Sequence, residues 1–152
     1  MFLIGCKSKA ENIKPITNNV SFDCNITFYN EDYDCKVTNT KNNEITLKFL
    51  SPENINGLEY IITKDKITSV YKGIEYESRI ENYPPQSIAK FIYTVLCSEN
   101  NKVLEQNDNF FVEGKTKDYN YKMHLGQTGL PIKITEKNNS ITVIIKNATI
   151  LK

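Results

Sequence analysis

From Val20 onward the chain alternates apolar and polar residues with period two, and it abandons that rhythm only once, for a helical stripe. Many strands served by one helix is the feature that most narrows the possible folds. Phe22, Cys24, Ile26 and Phe28 fall on one face of a first strand, with Asp23, Asn25 and Thr27 on the other. Asn30, Glu31 and Asp32 read as a turn, after which Tyr33, Cys35 and Val37 return on the apolar side. Ile45, Leu47 and Phe49 follow, and Ser51-Pro52 breaks the run. Leu58, Tyr60 and Ile62 alternate next. Lys64-Asp65-Lys66 turns the chain into Ile67 to Lys72, and Gly73 precedes Ile74 to Tyr76. Further strands are expected over Phe110 to Lys115, Tyr119 to Leu125, Pro131 to Glu136 and Ser140 to Ile145. The total is roughly nine to eleven strands in antiparallel order with one apolar face.

Pro84-Pro85 changes the period. Ile88, Phe91, Ile92, Val95 and Leu96 stand at i, i+3, i+4, i+7 and i+8, one helical stripe, and the polar run from Ser98 to Asn101 ends it. Two prolines just upstream suit a helix N-terminus. About ten strands at ~4.8 Å spacing make a sheet nearly 50 Å wide, whereas one helix is ~10 Å across. The sheet must therefore curl around the helix, close on itself, or leave an apolar hollow for something else to fill. The expected fold class is mainly β (α+β): a strongly curved antiparallel half-barrel of about ten strands with one central amphipathic helix on the concave side.

At 152 residues the chain is most simply one domain. With 19 Lys+Arg against 18 Asp+Glu and no basic stripe, nucleic acid is a poor partner. No stretch of ~20 apolar residues is present to span a bilayer. The cysteines, Cys6, Cys24, Cys35 and Cys97, are irregularly spaced and offer no metal-ligand pattern.

Cys6 needs its own explanation. Leu3-Ile4-Gly5-Cys6 resembles the lipobox that ends a bacterial lipoprotein signal peptide, which implies lipid attachment at Cys6 and cleavage just before it. A full signal has a basic n-region and ~7–15 apolar residues, of which only Met1 to Ile4 stands here, so residues 1–5 read as its remnant. The other reading is an ordinary apolar first strand with a buried free thiol. Lys7 to Asn19 carries three lysines, Pro15 and several asparagines with neither strand nor helix period, so residues 6–19 are expected to form an anchored flexible tether and residues 20–152 the folded domain. Two or more acyl chains on Cys6, at ~0.8 kcal/mol per buried CH₂, would hold the protein durably at a membrane. The expected location is extracytoplasmic, on the outer leaflet of the cell membrane.

The order of Ser51 to Leu58, Ile67 to Tyr71, Lys72-Gly73-Ile74, the Pro84-Pro85 helix and Gly129-Leu130-Pro131-Ile132 resembles the LolA-like lipoprotein fold family. Within it, SPENINGLEY resembles the family's turn between strands, and GQTGLPIKIT the turn before its last hairpin. The resemblance covers Val20 to Ile150. It implies an extracytoplasmic half-barrel with helical cover on its concave side. Family members usually carry a helix before the first strand, which Lys7 to Asn19 does not spell. A chain with its own anchor resembles the Gram-positive, clostridial-type cell-surface branch, whose germination lipoproteins bind a partner enzyme.

Catalysis finds little support. His124 shares a strand face with Asn120 and Lys122 and is expected to face solvent, and no nucleophile elbow or phosphate loop appears. Asn30, Asp32 and Asp34 space oxygens as the first half of a calcium loop does, but without its glycine and distal glutamate they read as a solvated hairpin turn. With Phe28 opposite Tyr33, Cys24 faces Val37 and Cys35 faces Ile26, leaving the two thiols diagonal at ~7–8 Å, too far for a relaxed disulfide. A shift of two residues would bring them opposite but set Phe28 against Glu31. Cys97 belongs to the helix core or rim.

The hollow is the best candidate site. Ile26, Phe28, Val37, Leu47, Phe49, Tyr60, Ile62, Tyr71 and Tyr121 should line it, with Phe91 and Val95 facing them from the helix. Two functions fit. One is a non-enzymatic, membrane-anchored protein holding a lipid or other apolar small molecule, without cofactor or metal. The other is a non-catalytic interaction module that binds or regulates a cell-envelope protein; the first predicts a connected apolar cavity of ~300 Å³ or more, the second a filled core.

Overall fold

The computed structural model describes residues 9–99, 102–138 and 140–152. Six strands run consecutively, each antiparallel to the last: β1 (Val20–Phe28), β2 (Glu31–Asn39), β3 (Ile45–Ser51), β4 (Glu59–Ile62), β5 (Lys66–Tyr71) and β6 (Ile74–Arg79). One α-helix among the described residues, α1 (Ile88–Leu96), follows. Then come β7 (Leu104–Gln106), β8 (Asn109–Lys115), β9 (Asn120–Leu125), β10 (Pro131–Glu136) and β11 (Ile141–Ile150). The strand order is β6-β5-β4-β3-β2-β1-β11-β10-β9-β8-β7. The first and last strands thus meet in the middle, and the segment carrying α1 links the two outer edges. The expected mainly β half-barrel with one concave-side helix is the fold observed.

Alternation explains which face is buried. Val20, Phe22, Cys24 and Ile26 of β1 are buried, as are Cys35 and Val37 of β2, Ile45, Leu47 and Phe49 of β3, and Ile141, Val143 and Ile145 of β11. Helix α1 sets Ala89, Phe91, Ile92, Val95 and Leu96 against them, and Ser87 caps it by accepting the Lys90 N–H at 3.3 Å. At nine residues the helix is only ~13 Å long. Two other segments complete the cover. Ile80 and Tyr83 pack from the β6–α1 connection, and Ala10, Ile13 and Ile16 pack from the chain's N-terminal side.

That second segment corrects the expectation of a free tether. A 3₁₀ turn over Lys9–Asn12 buries Ala10. Beyond it the Ile16 N–H donates to the Gly129 carbonyl at 2.9 Å, Asn39 Nδ2 donates to the Thr17 carbonyl at 2.7 Å, and Asn18 Nδ2 donates to the Thr40 carbonyl at 3.0 Å. The composition of Lys7 to Asn19 hides this because backbone groups and three small apolar contacts, rather than a periodic stripe, make the attachment. Residues 1–8, including Cys6, lie outside the described residues.

The register of the first hairpin also differs from expectation. The turn is Tyr29-Asn30, both with positive φ (47° and 64°), and not Asn30 to Asp32. Phe28 therefore pairs with Glu31, Ile26 with Tyr33, and Cys24 with Cys35. The polar face decides it. This register lets Thr27 Oγ1 donate to Asp32 at 2.6 Å and Asn25 Nδ2 donate to Asp34 at 3.1 Å. Phe28 and Tyr29 then stack edge-on at 4.4 Å, which favours the left-handed tyrosine. Two strands were not fully legible: β7 is only three residues long, and β11 runs on past Ile145 to Ile150.

Gly129 holds the N-terminal segment in place. Its φ is +93°, and a β-carbon there would strike the Lys14 carbonyl oxygen. Gly129→Ala is expected to lower stability by about 1–3 kcal/mol through strain and overpacking. It should also release the Ile16 amide to fast hydrogen exchange, while the amides of β1 and β11 stay protected.

Candidate functional site

The concave face is sealed over most of its width and open at one end. Phe28 of β1, Tyr33 of β2, Phe49 of β3 and Tyr60 of β4 form an aromatic row there. Tyr33 meets Phe49 edge-on with ring centres 5.7 Å apart, and Phe49 meets Tyr60 at 6.1 Å. The facing wall comes from the loop before α1 and its first turn, namely Tyr83, Pro84, Gln86, Ser87, Ile88 and Ala89, with Ile55 at the side. Between the walls lies a cleft of about 370 Å³. The prolines stiffen the loop that forms this wall, and the Ser87 cap fixes where the helix begins.

The electrostatics of the cleft are those of an uncharged surface. Among the described residues that line it there is no Asp, Glu, Lys, Arg or His. Burial pushes the Tyr60 phenol above its ordinary pKa, and burial with the neighbouring Tyr60 and Tyr76 phenols does the same for Tyr83. Tyr33 is held up by the hydrogen bond it donates to Glu31 at 2.6 Å, then by burial. All three stay neutral at physiological pH and can offer hydroxyls without charge. A partly solvated apolar concavity with a few hydroxyls and amides at its lip is suited to binding and carries no group arranged for proton transfer.

Two larger hollows, of about 630 and 480 Å³, flank the N-terminal segment. Lys14, Lys102 and Glu11 line one, and Lys9 and Asp108 the other, so neither matches an apolar ligand as well.

Most of the residues expected to line a hollow belong to the core instead. Ile26, Val37, Leu47, Ile62 and Phe91 are wholly buried, and Val95 and Tyr121 nearly so. They pack against one another because the sheet curls tightly enough for α1 to reach both sides. Phe91, for instance, meets Tyr121 and also the ring of Tyr119, at 5.2 Å. Phe28, Phe49 and Tyr60 do line the cleft. Tyr71 lies outside it and donates to the Asn54 carbonyl at 2.7 Å. Sequence reasoning left out Tyr33, Ile55, Tyr83 and Ile88. The signal for Tyr33 was its place on the apolar face. Tyr83 and Ile88 bracket the double proline but sit outside any strand pattern.

The remaining candidates have structural partners. Asp32 and Asp34 accept from Thr27, Asn25 and Ser51 across the convex face. His124 is on the expected convex face but half-buried beside Phe111, whose ring also carries the Lys122 ammonium at 3.9 Å. Burial first, then Lys122 and Lys133, hold its pKa below the usual value. The unfolded chain therefore binds a proton at higher pH than the folded one, and stability contributed by neutral His124 is present above pH ~6.5 and is lost as pH falls. Cys24 and Cys35 are free, buried thiols directly opposite each other. The hydrogen bond with Cys24, then burial, raises the Cys35 pKa far above the thiol range. Cys97 is half-buried and pushed up to about 11.

No family model matches the chain, and no curated protein matches it in sequence. Solved structures match it in shape. A LolA superfamily protein from Nitrosomonas europaea aligns over 95% of this chain and 90% of its own, at 11% identity and a TM-score of 0.52. An uncharacterized conserved protein from Thermus thermophilus aligns over 95% of this chain and 84% of its own, at 9% identity and a TM-score of 0.54. The architecture is LolA-like, as the sequence resemblance implied.

Two measurements check the local chemistry. In the folded protein neither Cys24 nor Cys35 should alkylate at pH 8 and Cys97 should react only slowly, whereas all three should react at once in denaturant. His124→Gln should flatten the loss of thermal stability between pH 7 and pH 5 relative to the parent.

Proposed function

We propose that this chain is a non-enzymatic, membrane-anchored lipoprotein that holds an apolar ligand in the cleft between the aromatic row and the start of α1. The ligand is the acyl or isoprenoid portion of a lipid or lipid-linked molecule. One observation carries the reading: about 370 Å³ of uncharged, aromatic-lined concavity, left open where an eleven-strand sheet outruns its nine-residue helix. That volume falls within the ~300–1,000 Å³ of small-molecule sites. Its lining would place chain methylenes against rings and leave a polar head near the Tyr60 and Tyr83 hydroxyls, Gln86 and Ser87. The LolA-like fold is compatible with this use but does not establish it.

The anchor in this reading is Cys6, acylated at the end of the lipobox-like Leu3-Ile4-Gly5-Cys6. Docking from Lys9 onward leaves only the peptide between Cys6 and Lys9 as a lead, at most ~10 Å even when extended. The domain would therefore ride close against the outer leaflet. Among the described residues no helix is long and apolar enough to cross a membrane.

Native mass spectrometry of the full chain, produced behind a complete signal peptide and extracted from its own membrane, tests both parts. Acyl mass on the peptide beginning at Cys6 and a co-purifying lipid are the expected results; an unacylated chain without lipid refutes the reading. For the cleft alone, the fluorescence of anilinonaphthalene sulfonate reports binding. Phe28→Ser should weaken it about tenfold, with an unchanged circular dichroism spectrum at the assay temperature showing that the fold is kept.

A further inference from the structure

The observed register of the first hairpin turns Cys24 and Cys35 from diagonal neighbours into direct partners. Pairing runs without a break from Val20 with Asn39 to Phe28 with Glu31, and both cysteines are on its buried side. The turn Tyr29-Asn30 has only two residues, so Phe28 and Glu31 close it as a hydrogen-bonded pair, and such pairs recur at every second position. Ile26 with Tyr33 is the next, and Cys24 with Cys35 the one after. The α-carbons of a hydrogen-bonded pair stand ~5.5 Å apart, inside the ~4.4–6.8 Å range of disulfides. The two thiols already interact, and Cys24 is the leading influence on the Cys35 thiol.

Their surroundings are apolar. Phe22 with Val37 and Ile26 with Tyr33 are the adjoining pairs on this face, while Ile145 lies beyond Cys24 and Phe49 beyond Cys35. A single buried cysteine packs there as a small apolar residue, but two set opposite each other at this spacing can be joined. Cys97 belongs to another element, at the end of α1 beside Tyr93.

We propose that Cys24 and Cys35 are a disulfide-forming pair, joined during folding outside the cell, whose bond staples the first hairpin beneath the aromatic row of the cleft. The location rests on the anchored reading above; the pairing rests on the register alone. Cys35 lies opposite Phe49 and two residues from Tyr33, so the bond would fix β1 and β2 where those two rings meet.

The oxidant is a small-molecule or protein disulfide. One cysteine thiolate attacks it and releases a thiol, and the other cysteine then attacks the mixed disulfide and releases the second thiol. The pair gives up two electrons and two protons, which leave in the two released thiols. Cys24 and Cys35 are only 4% and 1% exposed, so the exchange precedes closure of the core. The hairpin is local enough to pair that early.

The full chain carrying Cys6→Ser, refolded from denaturant in reduced and oxidised glutathione, tests the pair. The product should be lighter than the reduced chain by two hydrogens. Cleavage after Glu31 should leave the Cys24 and Cys35 peptides joined until reductant is added. In denaturant Cys97 alone should then alkylate, whereas all three thiols do so in the reduced chain. The oxidised chain should melt about 5–10 °C above the reduced one, and Cys35→Ala should abolish that difference. Three free thiols, Cys97 joined to either partner, or no gain in melting temperature would overturn the assignment. The same mapping on protein from its own membrane, quenched in acid to stop exchange, should show the bond. Free Cys24 and Cys35 on a chain acylated at Cys6 would overturn this proposal and spare the anchored reading; a bond on an unacylated chain would do the reverse.

Discussion

A broad apolar sheet face must be hidden by very little helix, and the rest of the structure answers to that mismatch. Eleven strands laid flat at ~4.8 Å spacing would be about 50 Å wide, against a helix of nine residues. Curling brings both sides of the sheet to α1, so that Phe91 meets aromatic rings of Tyr119 and Tyr121 while Ile26, Val37 and Leu47 are sealed beneath. Two flanking segments extend the cover, one ending in Ile80 and Tyr83 and the other carrying Ala10, Ile13 and Ile16. Where the cover thins, at the loop before α1 and its first turn, the aromatic row from Phe28 to Tyr60 stays reachable.

Much of this was legible in the residues because burial on one face writes its period into the sequence. The stripe from Ile88 to Leu96 marks α1 to the residue, and the alternation in β1, β3 and β10 marks their spans closely. What escaped was set by interactions that have no period. The first hairpin's register depends on Thr27 with Asp32 and Asn25 with Asp34, polar pairs that only a choice between two turns reveals. The N-terminal segment is held through the Ile16 amide and the Thr17 carbonyl and by the lack of a side chain at Gly129, none of which shows as hydrophobicity. β7, at three residues, is too short to alternate visibly.

The mismatch between sheet and helix led to the expectation of an interior hollow lined by eleven side chains, whereas the structure has a cleft at one end of the concave face. Only Phe28, Phe49 and Tyr60 of those expected residues reach it. The difference is packing density: protein interiors leave few voids larger than a water molecule, so residues central on a curved face close on one another, and openings survive at the ends. Tyr83 and Ile88 could not be found from strand period, because the wall they build belongs to a loop and a helix start.

The meeting of β1 with β11 at the centre of the sheet carries a consequence for how the molecule comes into being. Their ladder joins Val20 to Ile150, nearly the whole length of the polypeptide, and it divides two meanders that are otherwise local. Each meander can assemble from near neighbours, but the seam between them waits for β11, the last strand of the sheet, to be synthesised and delivered. Contacts of such sequence separation slow folding and prolong the exposure of unfinished apolar surface. A sheet of this design spends its earliest moments as two open leaves, and the closing act belongs to β11.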